Sequence, residues 1–96
     1  MIVLILWHFD WNGTAERLRE YDEVHKKMAE KTEGVEFLGR YVPWNNKYQW
    51  TYIVKSKDRK TWQEMGKNFE WDSESMGKLA IEETCGEYEL YGGPRE

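Results

Sequence analysis

The chain is short of the features that most readily announce a function. It has one cysteine, no apolar run of bilayer length and no excess of positive charge. Cys85 alone cannot close an internal disulfide, which sets aside the disulfide-stapled scaffolds and fits a reducing, cytoplasmic setting. The opening run Met1–Trp7 is too short to span a membrane, lacks a basic flank and continues as strand, so it reads as neither anchor nor signal peptide. A formal charge of −4 and a pI near 5.3 make a polyanion an unobvious partner. Phosphate loop, dinucleotide fingerprint, Gly-X-Ser-X-Gly elbow and Cys-X-X-Cys pair are all missing, as are linkers, repeats and low-complexity tracts.

Aromatic residues are abundant instead. Six Trp, six Tyr and three Phe stand in 96 residues, enough for one domain, residues 1–96, near the lower size limit for an unaided core. Each ring can bury about 150–250 Å² of surface.

Periodicity organises the chain. Ile2–Trp11 alternates, with Val3, Ile5, Trp7, Phe9 and Trp11 on one face and Ile2, Leu4, Leu6, His8 and Asp10 on the other. Both faces are largely apolar, as in a central strand covered on both sides. Thr14 is a good N-cap, and Leu18, Tyr21, His25, Met28 and Ala29 recur at helical spacing up to the stop at Gly34. Val35–Ser56 reads as a hairpin about Asn45-Asn46. A two-residue turn there places Tyr41 opposite Trp50, Gly39 opposite Tyr52, Phe37 opposite Val54 and Glu36 opposite Lys55. Phe37, Tyr41, Trp50, Tyr52 and Val54 then share an aromatic face; Glu36, Leu38, Arg40, Val42, Gln49, Thr51, Ile53 and Lys55 share a mixed one.

Asp58–Phe69 returns to helical spacing, capped by Asp58 and burying Trp62, Met65 and Phe69. The pattern resets around Trp71, which predicts a broken second helix and a short extra helix carrying Met76, Leu79, Ala80 and Glu83. Glu87–Tyr91 reads as the last strand, with Cys85 beside Gly86 at its start as an inert thiol. The order is β-α-β-β-α-β. It predicts an α+β, ferredoxin-like fold with a four-stranded antiparallel sheet and helices on one face. The aromatic face belongs under the helices, and the leucine-and-arginine face is left for another subunit.

Three segments carry a family resemblance: Gly34-Val35-Glu36-Phe37-Leu38-Gly39-Arg40-Tyr41, the Lys57-Asp58…Trp62 start of the second helix, and Leu6-Trp7-His8-Phe9. Through them the chain resembles the dimeric α/β-barrel superfamily, nearest to its small uncharacterised members. The resemblance covers nearly the whole length and is more topological than motif-based. It implies a homodimer joined face to face through its sheets and a ligand cleft between sheet and helices. Activities in the superfamily include cofactor-free oxygenation, haem degradation, cyclisation and isomerisation, so fold alone does not choose among them. The haem-degrading branch calls for a His in the second helix, and Asp58–Phe69 has none.

On that placement His25 is the candidate catalytic residue, an acid, base or hydrogen-bond donor titrating near neutrality. Trp7, Tyr41, Trp50, Tyr52 and Trp62 are the candidate ligand walls, suited to a flat apolar or aromatic molecule. The plainer assignment makes His25 a core histidine and the rings mere filling. His8 and Asp10, with Arg40, compose a polar cluster on the other face, without the spacing of a metal site. No metal or cofactor is expected. The homodimer contact falls on Leu4, Leu6, Leu38, Val42 and Ile53, too large an apolar patch to leave bare.

Function divides into a small-molecule-binding homodimer, whose enzymatic form is a cofactor-free oxygenase or isomerase-like enzyme, and a non-catalytic assembly or regulatory module with no ligand. RNA-binding domains share the element order, but Lys47-Tyr48-Gln49-Trp50-Thr51-Tyr52 lacks the basic-Gly-aromatic signature of their third strand.

Overall fold

In the computed structural model, residues 2–44 and 47–67 are described in full, and 76–86 by their backbone. The elements run β1 (Val3–Trp11), α1 (Ala15–Glu30), β2 (Val35–Tyr41), β3 (Trp50–Ser56), α2 (Arg59–Gly66) and β4 (Met76–Gly86). The protein is α+β, an antiparallel sheet with two helices. β3 lies between β1 and β2, and the backbone of β4 pairs along the other edge of β1, giving the order β2-β3-β1-β4. β1 is thus central, as its two apolar faces foretell.

Local chemistry sets the helix starts. The Thr14 side chain accepts from Arg17 N at 3.1 Å, with Glu16 in the positive first turn of α1. Asp58 Oδ1 accepts from Thr61 N at 2.7 Å and caps α2. Hydrogen bonds from the Thr61 side chain and then its backbone hold the Asp58 carboxyl below its ordinary range. α1 buries Leu18, Tyr21, His25 and Ala29, the apolar stripe of the sequence.

Two packed groups fill the space between sheet and helices. Phe9, Trp11, Leu18, Tyr21 and Tyr52 compose the first, with Trp7, Phe37 and Trp50 against it. Val3, Ile5 and Val54 compose the second, flanked by Val35, Phe37 and Trp62. Trp50, Tyr52 and the odd-numbered residues of β1 therefore face the helices, as expected.

The hairpin register departs from expectation halfway along. Val35–Ser56, Glu36–Lys55 and Phe37–Val54 pair as the two-residue turn requires. A shift between Phe37 and Gly39 then sets Gly39 opposite Ile53, Arg40 opposite Tyr52 and Tyr41 opposite Thr51. Gly39 has φ +132°, a conformation side-chain-bearing residues rarely adopt, so the glycine permits this bulge. One extra residue inverts the alternation beyond it. Arg40 moves under the helices and Tyr41 moves to the opposite face, corrections to the alternation read from the sequence.

The second half differs too. Met76–Gly86 is strand rather than a short extra helix, its backbone following β1 from Val3–Gly86 to Trp11–Met76. Its pairing along β1 outweighs an ambiguous local spacing. Cys85 accordingly sits within β4, opposite Leu4, not at the start of a later strand. The expected helix break at Trp71, the buried Phe69, the Asn45-Asn46 turn and a Glu87–Tyr91 strand lie outside the described residues.

Candidate functional site

The helix-facing layer contains a polar centre inside an aromatic setting. Asp22, on α1, receives three donations: Arg40 Nε to Oδ1 at 2.9 Å and to Oδ2 at 3.0 Å, and the Tyr52 hydroxyl to Oδ1 at 2.6 Å. The side chains of Arg40 and Asp22 are 19% and 23% exposed. The Arg40 guanidinium also lies over the Trp50 ring, 4.1 Å from its centroid. One helix and two strands thus converge on a single carboxylate. Burial, then the bond to Asp22, drive the Tyr52 hydroxyl far above its ordinary pKa, so it remains a donor throughout the physiological range.

His25 follows one turn further along α1. Only 4% exposed, it lies 4.5 Å from the ring centroids of Tyr21 and Tyr52 and 6.0 Å from that of Trp7. Its Nδ1 is 2.9 Å from the Tyr21 carbonyl oxygen. A carbonyl only accepts, so Nδ1 carries the proton and Nε2 is the acceptor nitrogen. Burial lowers its pKa to about 4, against the weaker raising effects of that hydrogen bond and of Asp22. The expected titration near neutrality is overturned: at pH 7 this imidazole is neutral, a poor match for general acid–base work there.

The residues expected to line one cleft divide into three places. Trp7, Tyr52 and His25 meet, with Trp7 stacked on Tyr52 at 6.1 Å and 9°, and Trp50 packs against the same group. Trp62 belongs to the second packed group. Tyr41 is on the other face, 48% exposed, its hydroxyl turned back to the Leu38 carbonyl at 3.0 Å. The rings interlock: Tyr52 is 4.8 Å from Phe9 and 5.3 Å from Phe37. A cavity of about 300 Å³ lies at one end of the sheet instead, between Gly34–Glu36, Lys55–Lys57 and Ile2. None of the expected wall residues borders it.

Asp22 was not anticipated. It adjoins Tyr21 and precedes His25 by three, so helical spacing put it at the margin of the buried stripe. Strict alternation sets Arg40 on the wrong side, and the lone glycine before it is the available signal of a bulge. The predicted grouping of Arg40 with His8 and Asp10 does not form. Asp10 instead accepts from Gln49 N at 2.9 Å, and buried His8 stacks on Tyr48 at 6.1 Å. Among the described residues no group of three or more His, Cys, Asp or Glu is placed to hold a metal, and no helix is long and apolar enough to cross a membrane.

No protein-family model matches this sequence, and comparison with curated proteins and with solved structures likewise returned no match.

Proposed function

We propose that the chain is a ferredoxin-like domain of the dimeric α/β-barrel kind, binding a small flat hydrophobic or aromatic molecule on the helix side of its sheet. The strand order β2-β3-β1-β4 supports the fold assignment. The observation that carries the ligand assignment is a pair of half-buried indoles, Trp7 and Trp50, beside the closed Tyr52. They extend the packed ring layer outward, where a flat guest continues the stacking without opening the core. His25 serves this site as a neutral, packed hydrogen-bonding group, with Tyr52 and Trp7 at its sides.

The opposite sheet face supports pairing with a second copy. Leu4, Leu6 and Ile53 are half-buried there, and Leu38, midway along β2, is exposed; Val42, past the bulge and beyond the end of β2, no longer shares their alternation, a correction to the expected contact. A twofold contact covers such a patch with its own equivalent. Sedimentation should show a dimer at micromolar concentration, shifted toward monomer by Ile53→Lys. Monomer alone in the parent protein refutes the pairing.

Tryptophan fluorescence, titrated with flat apolar compounds, tests the site. Saturable quenching that weakens in Trp50→Leu supports it. Absence of any response favours a second reading, a non-catalytic assembly module, for which the near-complete burial of Phe9 and Tyr52 speaks.

A further inference from the structure

Arg40 does not spend its hydrogen-bonding capacity on Asp22. Both contacts to the carboxylate come from one nitrogen, Nε, which divides its proton between Oδ1 and Oδ2. A guanidinium acting only as a strut would set two parallel N–H groups against the two oxygens. Here the terminal fork, Nη1 and Nη2, has no partner among the described residues.

Asp22 is in no position to turn and take those donors. Tyr52 anchors Oδ1 from the sheet at 2.6 Å, and Nε engages both oxygens. The Trp50 ring, 4.1 Å away, covers one face of the guanidinium and limits its hydration there. The result is a pre-oriented, partly desolvated cation with a planar pair of donors that Asp22 does not engage and an indole against it. Its side chain remains 19% exposed, enough to be reached from outside.

We infer that Arg40 is the recognition element for a carboxylate, so that the molecule held at the proposed site is an aromatic acid, its carboxylate end-on to Nη1 and Nη2 and its ring against Trp50. The inference rests on the proposed ligand site and narrows its substrate class. Because Asp22 already balances the charge of Arg40, selection depends on the direction of two hydrogen bonds rather than on a positive field. A planar acid is therefore preferred over its uncharged amide by more than Coulomb attraction in water supplies.

Calorimetric titration of the full chain with naphthalene-2-carboxylate and naphthalene-2-carboxamide decides the matter. The acid should bind at least tenfold more tightly than the amide. In Arg40→Lys, which keeps a cation for Asp22 but has no fork, that preference should fall below threefold. Should circular dichroism show Arg40→Lys unfolded, the double variant Asp22→Asn/Arg40→Met, which removes both charges together, should show the same loss. Equal affinity for acid and amide in the parent protein overturns the carboxylate assignment and leaves the ligand site standing. Binding of neither overturns both. A preference that survives in the folded variant places the carboxylate elsewhere and also refutes the role of Arg40.

Discussion

Tyr52, at the middle of the sheet, and Asp22, on the first helix, are joined by a hydroxyl-to-carboxylate hydrogen bond of 2.6 Å, while Arg40 claims the same carboxylate from the neighbouring strand. Tyr52 is almost wholly buried. Its ring supplies packing and its hydroxyl a directional tie between layers. Tyr52→Phe keeps the ring and removes the tie, and should cost about 1.5–3 kcal/mol of stability in urea unfolding, as for a bond to a charged acceptor. A loss under about 0.5 kcal/mol would show that water replaces the tyrosine without penalty.

Asp22→Ala should be more damaging than Tyr52→Phe. It strands both the Tyr52 hydroxyl and a largely buried guanidinium, a loss on the order of 3 kcal/mol. The double variant Asp22→Ala/Tyr52→Phe should then cost clearly less than the sum of the single changes, because the hydroxyl orphaned in one is absent in the other. Additive losses in unfolding experiments would count against the shared carboxylate.

Burial of His25 makes stability dependent on pH. Its folded pKa, about 4, lies below the ordinary value of 6.5 that holds in an unfolded chain. The unfolded state therefore binds the extra proton first as pH falls. The contribution of the neutral ring is complete above pH 6.5 and declines as pH drops toward 4, amounting to roughly 2 kcal/mol lost between pH 7 and pH 5. His25→Phe should flatten that decline. Imidazole carbon chemical shifts should show the ring still neutral at pH 5; a midpoint near 6.5 would contradict its burial.

Gly39 should resist substitution. At φ +132° an added Cβ is strained, and it would come 3.3 Å from Tyr41 Cε2. Gly39→Ala should lose about 1–3 kcal/mol. If the bulge is abolished rather than strained, Arg40 leaves Asp22, and amide exchange in the second half of the hairpin should quicken.

Thr51 offers the opposite outcome. Its hydroxyl is buried and has no hydrogen-bond partner among the described residues. Thr51→Val retains the branched shape and removes an unsatisfied polar atom, so stability should rise by about 1 kcal/mol. A loss of similar size would mean that the hydroxyl is satisfied by solvent.

Features settled within a few residues of one another are legible along the chain. Thr14 and Asp58 mark the helix starts because their side chains bond to nitrogens three residues on. Alternation in β1 sorts Val3, Ile5 and Phe9 from Leu4 and Leu6, since a strand has a period of two. The stripe from Leu18 to Ala29 identifies the buried side of α1 in the same way. Tertiary structure alone decided the rest. Whether the hairpin carries one extra residue at Leu38-Gly39 depends on what Arg40 and Tyr41 gain on each side, and that includes Asp22, eighteen positions away from Arg40. Whether Met76–Gly86 becomes strand or helix depends on the length of β1 available to pair with it. Local spacing is blind to both, because each is settled by partners the chain meets only once it has folded.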